Sequence, residues 1–269
     1  MHDIISEITF IKKQKTKPYY HSSAITGMIP KLYFKTESRN VHIKNARKIK
    51  KFNLDTHGFA LYEHKFKYDS IEKNNIDKYK KELIKFLKKI ITFEYANIFD
   101  LTRRSNLKTG AYNSDGFRQP AERAHVDYTK KSGPIRAKNI LGEDIYNNAR
   151  KSNKRIIQIN IWRPISKVVL SSPLAIADAG TIDSKDLIAT DQYFPDRIGE
   201  IYHLAYNPNQ SWYWVSEMNN NELLIFKGWD STESEKISKF TPHTSFNLHN
   251  QNIDKFPRES IEARIFLIL

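Results

Sequence analysis

The sequence has no cysteine and no long apolar run. Without thiols, the 269-residue chain cannot form disulfides, zinc–thiolate sites or iron–sulfur clusters, and it has no cysteine nucleophile. Residues 1–20 lack the apolar core of a signal peptide, and no stretch approaches the roughly 20 apolar residues that cross a bilayer. We therefore expect a cytoplasmic protein of a reducing compartment, with no membrane partner.

Acidic residues are fewer than basic ones, and no glycine-rich phosphate loop is found. The chain has 44 Lys and Arg against 30 Asp and Glu, a net charge of +14, which is typical of proteins that bind nucleic acid. Most of the excess lies in residues 1–100, where 21 basic residues face 11 acidic ones. The base composition of the coding sequence can produce such a lysine excess as easily as a binding function can, and we expect no nucleic-acid partner.

Short apolar segments separated by turn residues fill the second half of the chain. Alternation of apolar and polar residues predicts strands, which lie at 155–163, 168–170, 174–177, 201–205, 212–215, 222–229 and 261–269. Many short strands with Pro, Gly, Asn and Asp between them favour a barrel or jelly roll over a parallel α/β sheet. We predict a mainly β fold with flanking helices, a double-stranded β-helix of the cupin-like, jelly-roll type.

We expect one domain, residues 1–269, in three parts. Residues 1–40 show no clear period and are predicted to form an extended basic arm with one short strand. Residues 41–120 are predicted to form a helical or mixed N-terminal support, and residues 121–269 the β-helix core. Within the support, apolar residues recur at helical spacing from Ser70 to Ile91.

A long polar insertion interrupts the core at residues 130–154. It is basic and contains Gly and Pro, with one short helix predicted at 145–150. Long loops beside functional residues often cover binding sites. We expect this insertion to form a lid.

His125, Asp127 and His243 have the residue types and spacing of a non-haem iron site. Alternate side chains of a strand point to the same face, so His125 and Asp127 can approach one cation while Val126 packs the other way. An antiparallel roll can bring the distant His243 back to them. Two imidazoles and one carboxylate form the 2-His-1-carboxylate set of Fe(II) oxygenases, which leaves open positions for a 2-oxo acid and dioxygen. An isolated H-x-D arises easily by chance, and it is the order of H-x-D, distal His and terminal Arg that favours iron.

Two arginines near the C-terminus are candidates to bind the oxo acid. Arg258 and Arg264 are separated by an even offset and so share one face of a strand, and guanidinium groups match carboxylates in a bidentate manner. Gln158 and Asn160 also share a face, and one of them can hydrogen-bond the co-substrate or both can satisfy neighbouring backbone. The sequence does not decide between these alternatives.

Several motifs, taken together, resemble the CmcJ/NvfI group of oxygenases. They include Val41-His-Ile-Lys-Asn-Ala-Arg47, Ala124-His-Val-Asp-Tyr-Thr129, Asn160-Ile-Trp-Arg-Pro-Ile165, Pro242-His-Thr244 and Pro257-Arg-Glu-Ser-Ile-Glu-Ala-Arg264. The resemblance extends from about Val41 to the C-terminus. It implies a double-stranded β-helix oxygenase that uses Fe(II), 2-oxoglutarate and O2 on a small metabolite of a biosynthetic pathway.

The resemblance also implies roles for individual residues. His125, Asp127 and His243 match the iron ligands of the group, and Arg258 is favoured for the distal carboxylate of 2-oxoglutarate, with Arg264 as the alternative or its partner. The expected reaction is hydroxylation or desaturation by a dioxygenase, and a homodimer is an open expectation. The competing hypotheses are the same chemistry on a carrier-bound peptide or nucleic acid, and an iron-free β-roll binding protein.

Overall fold

Two β-sheets carry most of the chain. The computed structural model describes residues 2–27, 29–49, 51–68, 75–114 and 116–269. Its strands are β1 (Ile4–Ile11), β2 (Tyr19–His21), β3 (Lys31–Leu32), β4 (Thr36–Asn45), β5 (Phe59–Glu63), β6 (Tyr95–Ser105), β7 (Ala111–Asn113), β8 (Gly116–Arg118), β9 (His125–Val126), β10 (Ile156–Pro164), β11 (Leu174–Ala177), β12 (Leu187–Tyr193), β13 (Ile198–Leu204), β14 (Trp212–Trp214), β15 (Glu222–Asp230), β16 (His243–Ser245) and β17 (Glu259–Ile268).

The helices are short and lie outside the sheets. They are α1 (Ser23–Thr26), α2 (Ile76–Leu87), α3 (Ser132–Leu141) and α4 (Glu143–Lys151), with 3₁₀ turns at Ala46–Lys48, Ala179–Thr181 and Ser184–Asp186. None of the helices in the described ranges is long and apolar enough to cross a membrane.

The larger sheet has ten strands in the order β1-β4-β14-β11-β16-β9-β13-β12-β2-β3, and the smaller has five in the order β5-β15-β10-β17-β6. Most neighbouring strands are antiparallel and come from distant parts of the chain. Such crossing between two facing sheets is typical of a jelly roll. The predicted fold class is thereby confirmed.

Strand β10 is buried on both faces, and its alternating side chains face two different surroundings. Ile157, Ile159 and Ile161 point to one face and pack with Tyr79 and Leu83 of α2 and with other apolar residues. The intervening residues point into the space between the sheets, where Trp162 packs with Phe226, Ile176 and Tyr213. The apolar face therefore anchors the strand, and the other face is free to carry Gln158 and Asn160 toward the interior.

The N-terminal part differs from its expectation. Residues 4–11 are not part of an extended arm, because β1 pairs antiparallel with β4 along its whole length. Ile8 and Phe10 are buried against Trp212 and the larger sheet. Their burial requires a partner strand some thirty residues away. A local sequence pattern therefore does not predict it.

Other local predictions had mixed outcomes. The described part of residues 41–120, which was predicted to form a helical or mixed support, consists mainly of strands, with α2 as its helix. The first five residues of the predicted helix, 70–74, all lie outside the described residues. Residues 168–170 form no strand and contribute one isolated bridge, Val168 to Asn219. The helix predicted at 145–150 is confirmed by α4, and α3 precedes it.

Candidate metal centre and its cavities

His125, Asp127 and His243 meet at the centre of the larger sheet. His125 in β9 is paired directly opposite His243 in β16, which sets their rings 4.5 Å apart between centroids. Asp127 follows β9, and its Oδ1 lies 3.8 Å from Nε2 of His125. One ligand atom from each of the three residues lies within 4.8 Å of the others, so a single cation can contact all three.

Backbone carbonyls fix the orientation of both imidazoles. Nδ1 of His125 lies 2.7 Å from the carbonyl oxygen of Arg123, and Nδ1 of His243 lies 3.1 Å from that of Thr241. A carbonyl can only accept, so Nδ1 carries the proton in each ring and Nε2 keeps its lone pair. Burial lowers the pKa of His243, and burial together with His243 lowers the pKa of His125 to about 3. Both rings are therefore neutral near pH 7, as metal binding requires.

The two oxygens of Asp127 have different surroundings. Oδ2 accepts hydrogen bonds from Nδ2 of Asn160 at 2.7 Å and from Nε of Arg264 at 3.2 Å, while Oδ1 is the atom near His125. Burial opposes ionisation of Asp127, but Arg264 and the neighbouring groups outweigh it and hold the pKa of this carboxyl below its ordinary value. Asp127 is thus an anion with one oxygen held in place and the other facing the histidines.

Arg264 is surrounded by carboxylates. Besides Asp127, its guanidinium pairs with Asp100 and Glu262, each at 2.5 Å, and donates to Thr102 Oγ1 at 3.0 Å. Burial acts against the charged form, yet the three carboxylates raise the pKa of Arg264 well above its ordinary value. Its hydrogen-bonding capacity is committed to the protein itself.

Arg258 is fully enclosed and has no carboxylate within ion-pair distance among the described residues. Its Nη1 donates to the carbonyl oxygen of Ser172 at 2.5 Å and to Oγ of Ser245 at 3.3 Å, and its Nε has no hydrogen-bond partner within the described ranges. The guanidinium carbon lies 5.7 Å from the ring centre of Trp162. Burial, aided by Arg104, lowers the pKa of Arg258 to about 9, a cost that an anionic ligand would offset.

A small inner cavity borders Arg258 and the two histidines of the triad formed by His125, Asp127 and His243. It has a volume of about 20 Å³, and its walls include His125, His243, Arg258, Arg104 and Arg264. Anions that enter it meet three guanidinium groups and one carboxyl, that of Glu262, whose pKa burial raises. The charges that line the pocket therefore favour an anionic group.

Gln158 and Asn160 lie behind the carboxylate of the triad. Nε2 of Gln158 donates to Oδ1 of Asn160 at 2.6 Å, and Asn160 in turn donates to Asp127. Gly228 permits this arrangement, since a Cβ there would come within 1.9 Å of Oε1 of Gln158. Neither Gln158 nor Asn160 is among the described residues that line the inner cavity or the larger one beside it.

The larger, outer cavity opens on the other side of the triad. It has a volume of about 960 Å³ and reaches His125, Asp127 and Arg264 from the side of Tyr20 and Phe194. Helix α3 forms part of its wall. A metabolite of moderate size fits such a space.

Several residues at the site were not anticipated from the sequence. Arg104 lines both cavities and donates to the carbonyl oxygen of Gln119 at 2.7 Å. Arg104, Asp100 and Thr102 occupy alternate positions of β6, and this even spacing was a signal that could have placed them on one face. Arg123, two residues before His125, offered the same signal.

Comparisons with known proteins agree with this geometry. A family model described as an oxidoreductase/YMDC permease-like domain matches residues 8–268. The chain belongs to this family. Among solved structures, one described as the iron and alpha-ketoglutarate-dependent endoperoxidase NvfI, with different conformation, superposes with a TM-score of 0.84 at 25% identity, over 99% of this chain and 98% of that one.

Relatives of known sequence point to the same group. The Fe(II)/2-oxoglutarate-dependent dioxygenase nvfI of Aspergillus novofumigatus is 27% identical over 273 residues, which is 96% of this chain and 94% of that protein. The hydroxylase/desaturase efuI of Hormonema carpetanum is 26% identical over 236 residues, 79% of this chain and 77% of that protein. The resemblance inferred from the motifs is confirmed, and the chain is an NvfI-like oxygenase.

Proposed function

We propose that this protein is an Fe(II)/2-oxoglutarate-dependent dioxygenase that hydroxylates or desaturates a small metabolite in a biosynthetic pathway. One observation carries the proposal, namely the convergence of two neutral imidazoles and one ionised carboxylate at the junction of two cavities. Relatives named as dioxygenases and hydroxylase/desaturases support it.

The donor set fits Fe(II). Two nitrogen ligands and one oxygen ligand, with no thiolate, form the facial triad that binds non-haem Fe(II) and leaves positions open for other ligands. The lone pairs at Nε2 of His125 and His243 and the free Oδ1 of Asp127 face one another. We assign these three residues as the metal ligands.

We assign Arg258 to the co-substrate and Arg264 to the support of Asp127. A buried guanidinium beside the triad, with an unpartnered Nε and no carboxylate partner among the described residues, can bind the distal carboxylate of 2-oxoglutarate. Arg264 already pairs with three carboxylates, so it holds Asp127 rather than the oxo acid. Asn160 orients the same carboxylate, and Gln158 orients Asn160.

The chain supplies binding, orientation and charge. Bound iron with 2-oxoglutarate and O2 supplies the oxidising power that removes hydrogen from the substrate. Arg258 compensates the charge of the oxo acid, Arg264 and Asn160 keep Asp127 in one orientation, and the outer cavity holds a substrate C–H bond at the triad. The position of that bond in the cavity then selects hydroxylation or desaturation.

Turnover of the co-substrate tests the proposal directly. Purified protein given Fe(II), O2 and 2-oxoglutarate should form succinate slowly even without substrate, and His243→Ala should abolish it. The exposed His249 provides a matched control, because His249→Ala removes an imidazole that lines neither cavity and should retain the rate. Succinate formation that is independent of Fe(II), or unaffected by His243→Ala, would overturn the proposal.

Three broader predictions accompany this function. We propose a single oxygenase domain at 1–269, a cytoplasmic location and a homodimer. The single domain is supported by the two sheets, whose strands come from all parts of the chain. Sedimentation equilibrium of the purified protein tests the homodimer.

A further inference from the structure

The outer cavity carries more positive charge than its own carboxylates balance. Eight Lys and Arg side chains and five Asp and Glu side chains line it. One of those carboxylates is Asp127, which we assign to the metal. Whatever substrate occupies the cavity therefore meets an excess of cationic groups.

Most of these cations already have partners. Lys17 pairs with Asp191 and Glu200, and Arg197 pairs with Asp196. Arg104 and Arg118 donate to oxygen atoms of the protein, and Arg264 is surrounded by carboxylates. Such groups contribute to the electrostatic field of the cavity but have little capacity left to bind a ligand.

Arg123 is different. Within the described part of the chain, its guanidinium makes no hydrogen bond and no ion pair, and its Nε is buried without a partner. Burial of this guanidinium is costly, because Nε loses water without gaining a hydrogen bond, and Tyr20 and the neighbouring Glu122 compensate the charge only through space. An anion supplied by a ligand would offset that cost.

The position of Arg123 relative to the triad is fixed by its backbone. Arg123, His125 and Asp127 all line the cavity, while the intervening Ala124 and Val126 are completely buried. The carbonyl oxygen of Arg123 accepts the hydrogen bond from Nδ1 of His125, and Arg123 is bridged to Thr9 of β1. A group bound by Arg123 is thus held at a set distance along the cavity wall from the metal ligands.

Arg136 extends the same surface from helix α3. Its guanidinium lies over the ring of Phe99, 5.4 Å from the ring centre, and makes no ion pair within the described ranges. Tyr20, Phe99 and Phe194 add aromatic surface to the same cavity. The cavity therefore combines an anion-binding group near the triad with an apolar wall.

From this arrangement we infer that the substrate is a small organic anion, a carboxylic acid or a phosphate ester, whose charged group binds Arg123 and whose carbon skeleton lies on the aromatic wall. This inference rests on the proposed function for the identity of the site. It adds the class of the substrate and the residue that recognises it.

A pair of fluorescent probes that differ in one anionic group tests the inference. Anilinonaphthalene sulfonate is an aromatic anion, and N-phenylnaphthylamine is its uncharged counterpart. With the full chain, Arg123→Gln should weaken binding of the sulfonate at least about tenfold, which corresponds to roughly 1.4 kcal/mol, and should change binding of the neutral probe less than about twofold. Arg136→Gln should produce a smaller loss in the same direction.

Arg197→Gln is the matched control, since Arg197 lines the same cavity but is exposed and already paired. It should change sulfonate binding by less than about threefold. Equal losses of sulfonate affinity in Arg123→Gln and Arg197→Gln would contradict a specific site. Equal losses of affinity for both probes in Arg123→Gln would contradict it too, as would a failure of the sulfonate to bind the wild-type protein. Circular dichroism confirms that each variant is folded.

Displacement of the probe distinguishes the two anion classes. Naphthoate or naphthyl phosphate should compete with the sulfonate, and the stronger competitor identifies the class, whereas equal competition by neutral naphthamide would overturn the inference. The outcome is independent of iron chemistry. If succinate formation fails while probe selectivity holds, the proposed function is wrong and the anion site remains.

Discussion

At the scale of single residues, the two oxygens of the Asp127 carboxylate have different roles in the proposed metal centre. Its Oδ2 is occupied by Asn160 and Arg264, and its Oδ1 faces the histidines. A carboxylate held in this way presents one oxygen to the metal. The groups behind a ligand thereby determine its orientation and charge as much as the ligand itself does.

Asn160→Ala should weaken metal binding without removing a proposed ligand. The hydrogen bond from Nδ2 at 2.7 Å would be lost, Asp127 would gain rotational freedom, and the affinity for Fe(II) should fall roughly 10- to 100-fold. Anaerobic calorimetry measures this directly. Asn209→Ala, at an exposed position, is the control, and an unchanged affinity in Asn160→Ala would contradict the proposed role.

Arg258 and Arg264 should have separable phenotypes. Arg258→Ala removes the guanidinium that we assign to 2-oxoglutarate, so the dissociation constant of the co-substrate should rise about 10- to 100-fold. Arg264→Ala removes the partner of Asp127 and should weaken Fe(II) binding instead. Titration of each variant with metal and then with 2-oxoglutarate distinguishes the two, and a reversed pattern would exchange the assignments.

At the scale of secondary-structure elements, helix α3 links the core to the outer cavity. Its buried face, including Ala137 and Leu141, packs with Trp229 and Phe266, while Ile135, Arg136 and neighbouring residues line the cavity. The helix belongs to the insertion that the sequence predicted as a lid. The lid role stays a prediction. Because α3 both packs on the core and lines the outer cavity, we expect changes in the packing of α3 to affect substrate binding.

Gly133→Ala should disturb this packing. A Cβ at Gly133 would lie 2.3 Å from the indole ring of Trp229, so the helix must shift, and the free energy of unfolding should fall by about 1–3 kcal/mol. Urea unfolding measures the change. Gly199→Ala is a fair control, because its Cβ would meet only ordinary contacts of 3.4 Å or more. Equal stability of the two variants would show that α3 is not held by this contact.

At the scale of the whole molecule, a charged cluster joins distant segments. Asp55 pairs with Arg155 at 2.5 Å and with the buried Lys227 at 2.8 Å, and Asp230 contacts the same two cations. Lys227 and Asp230 belong to β15, Arg155 immediately precedes β10, and Asp55 lies in the segment before β5. The cluster therefore couples the edge of the smaller sheet to its centre.

The cluster should make stability depend on acidity. Hydrogen bonding to Arg155, against the effect of burial and with help from Lys227, lowers the pKa of Asp55 from 3.8 to about 2. A carboxyl with a depressed folded-state pKa stabilises the protein above its unfolded pKa, and this contribution is lost as the pH falls from about 4 to about 2. Asp55→Asn should therefore be less stable than wild type near pH 6, and the gap should shrink in that acidic range.

Urea midpoints at several pH values check this dependence. Asp196→Asn serves as the control, because Asp196 is exposed and, among the described residues, pairs only with Arg197 at 3.4 Å, so its difference from wild type should be small throughout. A gap for Asp55→Asn that stays constant down to about pH 2 would contradict the linkage.

The sequence predicted much of the molecule where local pattern decides the outcome. Strand alternation located β10, β11 and β17 closely, and the H-x-D spacing predicted that His125 and Asp127 lie on one side, where both line the outer cavity. What it could not supply was pairing between distant strands. Nothing near Arg264 indicates that Asp100 and Asp127 would surround it, and nothing near Arg258 indicates that its guanidinium would lack a carboxylate.

The same limit explains the N-terminal error. Ile8 and Phe10 alternate with polar residues, but the burial of β1 depends on β4 and Trp212, which a short window does not contain. Closed sheets are built from such non-local contacts. In a chain of this class, local sequence patterns predict the strands, but the composition of the site depends on how distant strands pair.

Anaerobic titration with Fe(II) and then 2-oxoglutarate tests the central claim most directly. The wild-type protein should develop a weak visible charge-transfer band only when both are present, His249→Ala should retain it, and His243→Ala should lose it. Absence of the band in folded wild-type protein, or its persistence in His243→Ala, would contradict an iron centre built on His125, Asp127 and His243.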